Sequence, residues 1–308
     1  MTASGASFTH EAVFYDDLSG FLSDTLPFLR EGIDAEAAVL VAVDPVKAGA
    51  IRAALHDPDD AVQFVDMTDV GRNPGRLISR WGDFVDELPA GRPLRGIGEA
   101  IWPGRRPDEI AECQRHEALL NLAFADRVDF QLMCPYDRAH LDEALLAEAR
   151  HSHPRLVEDG ASLDSRQYDR SVAPYAGSLA EPTAPVAHMA LAENNLGDVR
   201  RWVGEAALAG GLARHRADDL ALAVGEAATN SLSHAGGHGD LRCWWEDDRV
   251  VCEVHDEGRI RDPLAGRFPA AWDAAHGRGL WLIHQLCDLV QIRSSEAGSV
   301  VRMQMGPS

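Results

Sequence analysis

A carboxylate and a carboxamide at helical spacing are the first residues in the sequence that suggest chemistry. Asn230 follows Glu226 by one turn of a predicted helix, within a run whose apolar residues recur at intervals of three and four, so both polar side chains lie on a common face. A glutamate can accept a proton or orient a hydroxyl group, and an asparagine oxygen is a hard, neutral ligand suited to Mg2+ carried by nucleotide phosphates. The pair indicates phosphoryl transfer, but it is also common on a solvated helix face.

Two further signals follow this pair in the sequence. Asp256-Glu-Gly258 comes directly after a strand pattern, at a strand end where a fixed, partly buried carboxylate can read a ligand. His276-Gly-Arg-Gly-Leu280 opens a predicted helix; glycines there let backbone amides approach phosphate oxygens, and the helix start favours negative charge. Each signal alone also fits an ordinary turn, whereas their order on helix, strand end and loop-to-helix junction is much more specific.

The elements that would position these signals are predicted over the last part of the chain. Strands are predicted at 186–192, 240–246, 249–255, 289–293 and 299–305, and helices at 196–208, 216–234 and from the His276 motif to Leu289. The segment 259–275 is rich in proline, glycine and alanine and poorly periodic, which is typical of a mobile lid.

The first half of the sequence alternates strand and helix patterns. Strands are predicted at 8–15, 37–43, 62–66 and 128–134, the last closed by Pro135, and a strand followed by a loop at 92–102. Helices are predicted at 17–29 with a stop at Gly32, 45–55, 74–86 and 108–124. This alternation predicts a three-layer α/β domain with a mostly parallel sheet. Because no G-x-x-x-x-G-K-[ST] or G-x-G-x-x-G motif follows the first strands, nucleotide hydrolysis is not expected there.

The chain is therefore expected to form two domains, 8–155 and 186–308, joined by a segment at 156–185. This segment is polar and then rich in proline and small residues, so it is predicted to connect the domains without packed elements.

Composition narrows the classes of function. The 308 residues include 49 acidic and 29 basic side chains, a formal net charge of -20, which disfavours nucleic-acid and anionic-membrane surfaces. No apolar run is long enough for a membrane span, and no basic region precedes an apolar signal segment, so a cytoplasmic protein is expected. The five cysteines form no C-x-x-C pair and are expected to be small buried apolar residues rather than zinc ligands or redox centres.

The first domain resembles the MEDS sensory domain, named for methanogens and methylotrophs. The resemblance covers about residues 8 to 155 and lies in His10-Glu-Ala-Val-Phe-Tyr15, in the blocks 95–104 and 112–121, and in Cys134-Pro-Tyr-Asp137. It implies a RecA-like fold without a phosphate loop, in a family whose ligands are largely undefined. A small-molecule signal is a candidate ligand of this domain. Polar or aromatic residues of these motifs are candidate ligand contacts, although packing roles fit them equally: His10, Glu99, Trp102, His116 and Glu117.

The second domain resembles the GHKL superfamily with its Bergerat ATP-binding fold, an α/β sandwich on a mixed sheet. Residues 222–235 and 276–288 look like the anti-sigma-factor serine kinases of bacterial stress and sporulation control. The resemblance implies ATP and Mg2+ as cofactors, with Glu226 acting on the attacking hydroxyl and Asn230 ligating Mg2+. It also implies that Asp256 accepts the adenine amino hydrogen and that Gly258 lets the base approach closely.

Further nucleotide contacts are implied at the last motifs. Gly277 and Gly279 would bring backbone amides to the phosphates, with Arg278 as a charge partner and Leu280 completing the motif. Ser299 stands where the family usually has threonine, and its hydroxyl keeps a contact to adenine or to water available.

The leading hypothesis is a sensory anti-sigma factor that regulates transcription and phosphorylates a serine of a STAS-domain antagonist. Its partners would be a sigma factor and that antagonist, and the resemblance implies a homodimer. A sensor histidine kinase is the first alternative, but it needs an acceptor histidine on a helix pair, and residues 156–185 contain no histidine and no long amphipathic helix. The second alternative is a non-catalytic module that holds ATP and sequesters a partner.

Overall fold

The computed structural model describes residues 8–56, 61–89, 91–127, 129–158, 160–172, 177–269 and 278–307. The chain divides into two compact units, residues 1–175 and 176–308. Among the helices in these described ranges, none is long and apolar enough to cross a membrane.

The first unit is built on one sheet with helices on both faces. Its strands are β1 (Thr9–Tyr15), β2 (Ala38–Val43), β3 (Val62–Asp66), β4 (Leu94–Gly98), β5 (Phe130–Asp137), β6 (Arg155–Glu158) and β7 (Ala161–Asp164). Its helices are α1 (Leu18–Asp34), α2 (Pro45–Leu55), α3 (Met67–Val70), α4 (Leu77–Asp86), α5 (Pro107–Ala123) and α6 (Glu143–Ser152). The strand order is β3-β2-β4-β5-β1-β6-β7, and every pairing is parallel except that of β6 with β7. The predicted mostly parallel α/β fold is confirmed.

Alternation along β1 separates the two faces of this sheet. Val13 and Tyr15 pack into a core with residues of α1 and α2, whereas His10, on the other face, contacts side chains of α5. Because successive strand residues point to opposite faces, β1 places an apolar core on one side and a histidine among polar helix residues on the other.

Two residues predicted to end elements instead lie inside them. Helix α1 continues past Gly32 to Asp34, and a Cβ at Gly32 would lie 2.8 Å from Cγ of Arg95, so this glycine permits close packing rather than a stop. Strand β5 continues through Pro135 to Asp137. Proline has no amide hydrogen to donate to a neighbouring strand. The pairing of β5 with β4 ends at Met133, so at Pro135 β5 pairs only with β1, and the missing amide hydrogen costs no bond to β4.

The start of the predicted connecting segment belongs to this sheet. Strands β6 and β7 form an antiparallel hairpin, and Arg155 of β6 donates to Oγ of Ser162 at 2.7 Å and to Oδ1 of Asp164 at 2.9 Å. The arginine links the two short strands, whose polar sequence carries little strand pattern. Arg155–Glu158 and Ala161–Asp164 are therefore paired strands, although the segment from residue 156 was predicted to be a connection without packed elements.

The second unit is a sheet covered on one face by helices. Its strands are β8 (Ala187–Leu191), β9 (Gly239–Glu246), β10 (Arg249–Asp256), β11 (Leu289–Ser295) and β12 (Gly298–Met305). Its helices are α7 (Leu196–Ala209), α8 (Arg214–His234) and α9 (Arg278–Leu286). One apolar core joins the inner faces of the helices to alternate residues of the strands, which confirms the predicted α/β sandwich.

The pairing within this second sheet differs in detail from the expected mixed pattern. The strand order is β11-β12-β10-β9-β8, and every pairing among these described strands is antiparallel. Two tight hairpins account for much of this: Asp247 and Asp248 take left-handed φ angles of 48° and 58° between β9 and β10, and Gly298, at φ 126°, opens β12. Short hairpins join antiparallel neighbours only.

Candidate functional site

Helix α8 presents the predicted pair Glu226 and Asn230 at its partly exposed face, while its buried residues, such as Val224 and Ala228, pack in the core. The Glu226 side chain is 30% exposed, and its Oε1 lies 3.9 Å from Nη2 of Arg200 on α7. A Cβ at Gly225 would lie 2.3 Å from Nε of Arg200, so only glycine lets this arginine cross α8. Arg200 was not predicted from the sequence. The available signal was Gly225, because a glycine inside a helix destabilises it by about 1 kcal/mol and is therefore expected to have a packing reason.

The strand-end motif forms a tight turn after β10. The amide of Gly258 donates to Oδ1 of Asp256 at 2.8 Å, and the Ser299 hydroxyl donates to the Gly258 carbonyl at 2.8 Å. The Ser299 and Ser294 hydroxyls lie 2.9 Å apart, and Ser294 accepts from the amide of Ile260 at 2.9 Å. This chain of hydroxyls fixes the carboxylate turn; Ser294 carried no signal in the sequence.

The start of α9 lies against the pair on α8. A Cβ at Gly279 would lie 2.9 Å from Nδ2 of Asn230, 3.3 Å from its Oδ1 and 3.4 Å from Oε2 of Glu226. The missing side chain therefore lets the start of α9 approach the polar pair on α8 closely. Arg278, the first residue of α9, is exposed, and Gly277 lies outside the described residues.

A cavity of about 580 Å3 joins these features, a volume within the range of small-molecule sites. Predicted site residues line it as follows: Asn230, Asp256, Gly258, Gly279, Leu280 and Ser299. The described part of the predicted lid, residues 259–269, contributes most of another wall, including Ile260, Leu264 and Phe268. Glu226 is not in this lining but adjoins it through Gly279, and Arg278 is not in the lining.

The candidate ligand residues of the first unit have separate partners. Glu99, after β4, accepts from the Tyr15 hydroxyl at 2.5 Å and pairs with Nζ of Lys47 at 2.8 Å. The Trp102 ring stacks under the Arg105 guanidinium at 3.4 Å, and His116 is buried within α5. Glu99 and Trp102 thus have contacts apart from His10, whose side-chain partners are Asn121, Glu117 and Cys134.

The Glu99 group is an ion pair at the carboxyl edge of the parallel sheet. Burial raises the pKa of Glu99 in spite of Lys47. Burial alone would lower the pKa of Lys47, but the charges of Glu99 and Asp44 outweigh it and raise that pKa. Asp44 also caps α2 by accepting from the amides of Val46 and Lys47 at 2.8 and 3.0 Å, which fixes this lysine beside Glu99.

His10 belongs to a second polar group, fully enclosed between β1, β5, α5 and the end of α6. Nε2 of His10 lies 3.2 Å from Oε2 of Glu117 and 3.3 Å from Sγ of Cys134, and Nε2 of His153 lies 3.4 Å from the same Glu117 oxygen. Burial, followed by the charge of His153, lowers the pKa of His10 to about 4, and burial raises the pKa of the Cys134 thiol. His153 had no signal in the sequence.

The second unit is an α/β sandwich: helices cover one face of an antiparallel sheet. A cavity of ligand size lies beside the ends of its helices. Family models make the assignment specific. Residues 9–154 match the family described as the MEDS, methanogen/methylotroph, DcmR sensory domain, and residues 189–305 match the histidine kinase-like ATPase domain. The chain is thus a MEDS domain fused to an ATPase domain of the GHKL type, a class that implies ATP as its nucleotide.

Solved structures give weaker likenesses. The RsbU and RsbW domains of Rv1364c from Mycobacterium tuberculosis match with 18% identity and a TM-score of 0.30, over 40% of this chain and 32% of that one. The Acinetobacter baumannii histidine kinase AdeS matches with 11% identity and a TM-score of 0.24, over 40% of this chain and 68% of that one. The chain therefore spans about a third of the first of these structures. No curated protein matches the chain.

Proposed function

We propose that the second unit binds ATP with Mg2+ in its cavity and transfers the terminal phosphoryl group to a serine of a STAS-domain antagonist protein. The observation that carries this proposal is the cavity itself, in which an asparagine, a strand-end aspartate, two glycines and a buried serine hydroxyl meet. These elements are distant in sequence, and a solvated helix face would not bring them together.

The residues present fit a nucleotide. A Cβ at Gly258 would lie 2.8 Å from Cβ of Ala235 and 3.0 Å from Oδ1 of Asp256, so the strand-end turn needs a glycine next to its carboxylate. Asp256 offers a hydrogen-bond acceptor of the kind that reads an adenine amino group, and Asn230 offers the amide oxygen for a metal carried by phosphates. Mg2+, when bound, would neutralise phosphate charge during transfer.

Glu226 is the residue we assign to the attacking hydroxyl. Its side chain is partly exposed beside the cavity, with the Arg200 guanidinium 3.9 Å away. A carboxylate that is open to solvent on one side can receive a hydroxyl from a separate protein and accept its proton. We further propose that Arg200 orients this carboxylate.

Two observations favour transfer to a separate protein over transfer to a histidine of this chain. Between Arg155 and Ala187, the part of the chain that the structure describes contains a hairpin and irregular segments but no helix, whereas a histidine kinase needs its acceptor on a helix pair. His116, followed by Glu117 as in an acceptor motif, is buried in α5 of the first unit, where no kinase domain can reach it.

In this proposal the protein is an anti-sigma factor of a stress response. It would bind a sigma factor, release it when the unphosphorylated antagonist competes, and act as a homodimer. The first unit would receive a small-molecule signal. These partners follow from the serine kinase assignment and depend on it.

The assignment is tested by incubating the full chain with Mg2+ and terminally labelled ATP, together with candidate STAS-domain proteins. We expect acid-stable phosphoserine on the partner. Base-stable, acid-labile label on this chain would show a histidine kinase instead. ATP binding without transfer to any candidate would support a non-catalytic module, and co-purification with a sigma factor would test the regulatory part separately.

A further inference from the structure

Four side chains of the first unit turn one potential metal-ligand atom each toward a common point. They are Nε2 of His10, Oε2 of Glu117, Sγ of Cys134 and Nε2 of His153, and all four atoms lie within 4.8 Å of one another. All four residues are buried. We call these residues the His-Glu-Cys-His cluster.

Hydrogen bonds determine the tautomer of His10, and so which of its ring nitrogens presents a lone pair to the cluster. Asn121 donates through Nδ2 to the carbonyls of Ser152 and Glu117, at 2.8 and 3.3 Å. Its Oδ1 must therefore point the other way, toward Nδ1 of His10 at 3.1 Å. Because that oxygen can only accept, Nδ1 of His10 carries the proton and Nε2 presents a lone pair to the cluster.

His153 is held in the same way. Its Nδ1 lies 2.8 Å from the carbonyl oxygen of Ala149, which can only accept, so Nδ1 carries the proton. Its Nε2 is buried, and in the described part of the chain it has no hydrogen-bond partner. Metal-binding histidines show this arrangement, in which the second ring nitrogen donates to a carbonyl or amide oxygen and fixes the tautomer.

The cluster therefore directs two imidazole lone pairs and a carboxylate oxygen at one another. When both imidazoles are neutral, only the Cys134 thiol has a hydrogen to offer, and its Sγ lies 3.4 Å from the Glu117 oxygen. One weak donor cannot satisfy three acceptors in a site that water does not reach. A cation at the centre would satisfy all of them.

We propose that the His-Glu-Cys-His cluster binds one divalent transition-metal cation of the zinc class. Two imidazoles and a thiolate suit a borderline-soft ion such as Zn2+ and disfavour Mg2+ and Ca2+, which prefer oxygen ligands. Binding replaces the thiol proton of Cys134 with a sulfur–metal bond, and the proton leaves to solvent.

The distances fit four-coordinate geometry. Ligand bonds to zinc of about 2.0 to 2.3 Å in a tetrahedron place neighbouring ligand atoms roughly 3.3 to 3.8 Å apart. Four of the six separations in the cluster, 3.2, 3.3, 3.4 and 3.4 Å, are close to this range, and all six lie within 4.8 Å. Ordinary packing does not require a carboxylate oxygen to approach three such atoms at these distances.

The position of the ligands indicates a resident ion rather than a transient one. The ligands come from β1, α5, β5 and the residue that follows α6, elements distant in sequence that meet only in the folded unit. Four protein ligands and full burial leave no open coordination position, which is typical of structural sites rather than of catalytic ones. The metal would tie the end of α6 to the sheet.

The test is the metal content of the full-length, untagged chain. The protein is stripped with a strong chelator, reloaded with Zn2+ or Co2+, and passed through a desalting column. We expect about one tightly held equivalent of either metal and, with Co2+, a sulfur-to-cobalt charge-transfer band, since one ligand is a thiolate. A wild-type chain that retains no metal after reloading overturns the proposal, and the four side chains then form a hydrogen-bonded core cluster only.

Matched cysteine variants locate the metal. Cys113 is also fully buried in the first unit, but its Sγ donates to the Ala100 carbonyl at 3.2 Å and is not one of the four ligand atoms of the cluster. Cys113→Ser should keep both the metal and the charge-transfer band, whereas Cys134→Ser should lose the band and bind metal more than tenfold more weakly. Metal retained in Cys134→Ser with an unchanged spectrum means a surface site and refutes the proposal. Should Cys134→Ser fail to fold, His153→Gln in the same assay gives the same decision.

Discussion

The two units place similar residue types in opposite surroundings. In the first unit Glu117 is 2% exposed, and its oxygen meets two histidines and a thiol in a space that other side chains close completely. In the second unit Glu226 is 30% exposed, and the neighbouring Gly279 lines an open cavity. A closed cluster of ligand atoms can hold only an ion, whereas an open cavity lined by single polar groups can hold a nucleotide.

The difference teaches that neighbours, more than residue type, decide the chemistry of a carboxylate. Glu117 is fixed by contacts on all sides, so it can only act as a ligand or a hydrogen-bond acceptor. Glu226 has one cation nearby at 3.9 Å and solvent on its other side, so it stays available to an incoming hydroxyl group.

Removing the carboxylate of Glu226 should have the largest effect. Glu226→Gln keeps the shape of the side chain but cannot take a proton, so the rate of phosphoryl transfer should fall by roughly 10²-fold or more. ATP affinity should change less than about threefold, because the nucleotide contacts lie elsewhere in the cavity. Initial rates and calorimetric ATP titrations measure both quantities.

Asp218 provides the matched control for that experiment. It lies exposed on the same helix and pairs with Arg214 at 3.4 Å, so Asp218→Asn should leave the rate and the affinity unchanged. A full transfer rate in Glu226→Gln would remove the assigned role.

Filling the space at Gly279 should weaken nucleotide binding. In Gly279→Ala the new Cβ would lie 2.9 Å from Nδ2 of Asn230, and overpacking of this kind costs about 1 to 3 kcal/mol. We expect ATP affinity to fall about tenfold or more. Gly197→Ala in α7 is the control, since nothing lies within 4 Å of the added Cβ; equal affinities in the two variants would argue against a site beside Gly279.

The hydroxyl of Ser299 should matter less. Ser299→Ala removes the hydrogen bond to the Gly258 carbonyl, worth about 1 kcal/mol, so ATP affinity should fall about fivefold. Ser299→Thr keeps the hydroxyl and should stay within about twofold of wild type. If the threonine variant loses as much affinity as the alanine variant, the hydroxyl is not what supports the turn.

Buried glutamates of the two units should respond to pH with opposite signs. Burial raises the pKa of Glu99, so its contribution to folding is fully present below its unfolded value of 4.5 and is lost as pH rises through the folded value. Burial would also raise the pKa of Glu253, but His255 and Arg302 outweigh it and lower that pKa. Its contribution is present above 4.5 and is lost as pH falls through the folded value.

Denaturant unfolding of Glu99→Gln and Glu253→Gln, each compared with wild type, measures these signs. Relative to its variant, the wild type should lose stability with rising pH in the first comparison and with falling pH in the second. The same sign in both would contradict the assigned surroundings of one of the two glutamates.

Most elements could be predicted from periodicity, because helix and strand patterns repeat over many residues. Ala38–Val43 is buried at every position, as its continuous apolar run predicts. Gly32 and Pro135 misled the sequence reasoning because both act through neighbours in space: Arg95 packs on the glycine, and β4 has already ended where the proline falls.

The candidate sites show the same limit: contacts between residues distant in sequence could not be predicted. The order of Glu226, Asn230, Asp256 and Gly279 along the chain was enough to predict a common site, and the cavity gathers or adjoins all of them. Arg200 and His153 were missed because each reaches its partner only through packing of α7 on α8, or of α6 on the sheet. Cys134 was expected to be a small buried residue; it is buried, and its neighbours now suggest a ligand.

One crossed measurement tests the central claim that a closed ion site and an open nucleotide site occur in separate units. Bound zinc and Mg-ATP affinity are determined on the wild type, Cys134→Ser and Gly279→Ala in the same preparation. We predict that Cys134→Ser loses zinc but binds ATP within about threefold of wild type, whereas Gly279→Ala keeps zinc and loses ATP affinity. A variant that loses both zinc and ATP affinity would contradict the account. So would the result that both variants keep zinc and bind ATP as tightly as the wild type.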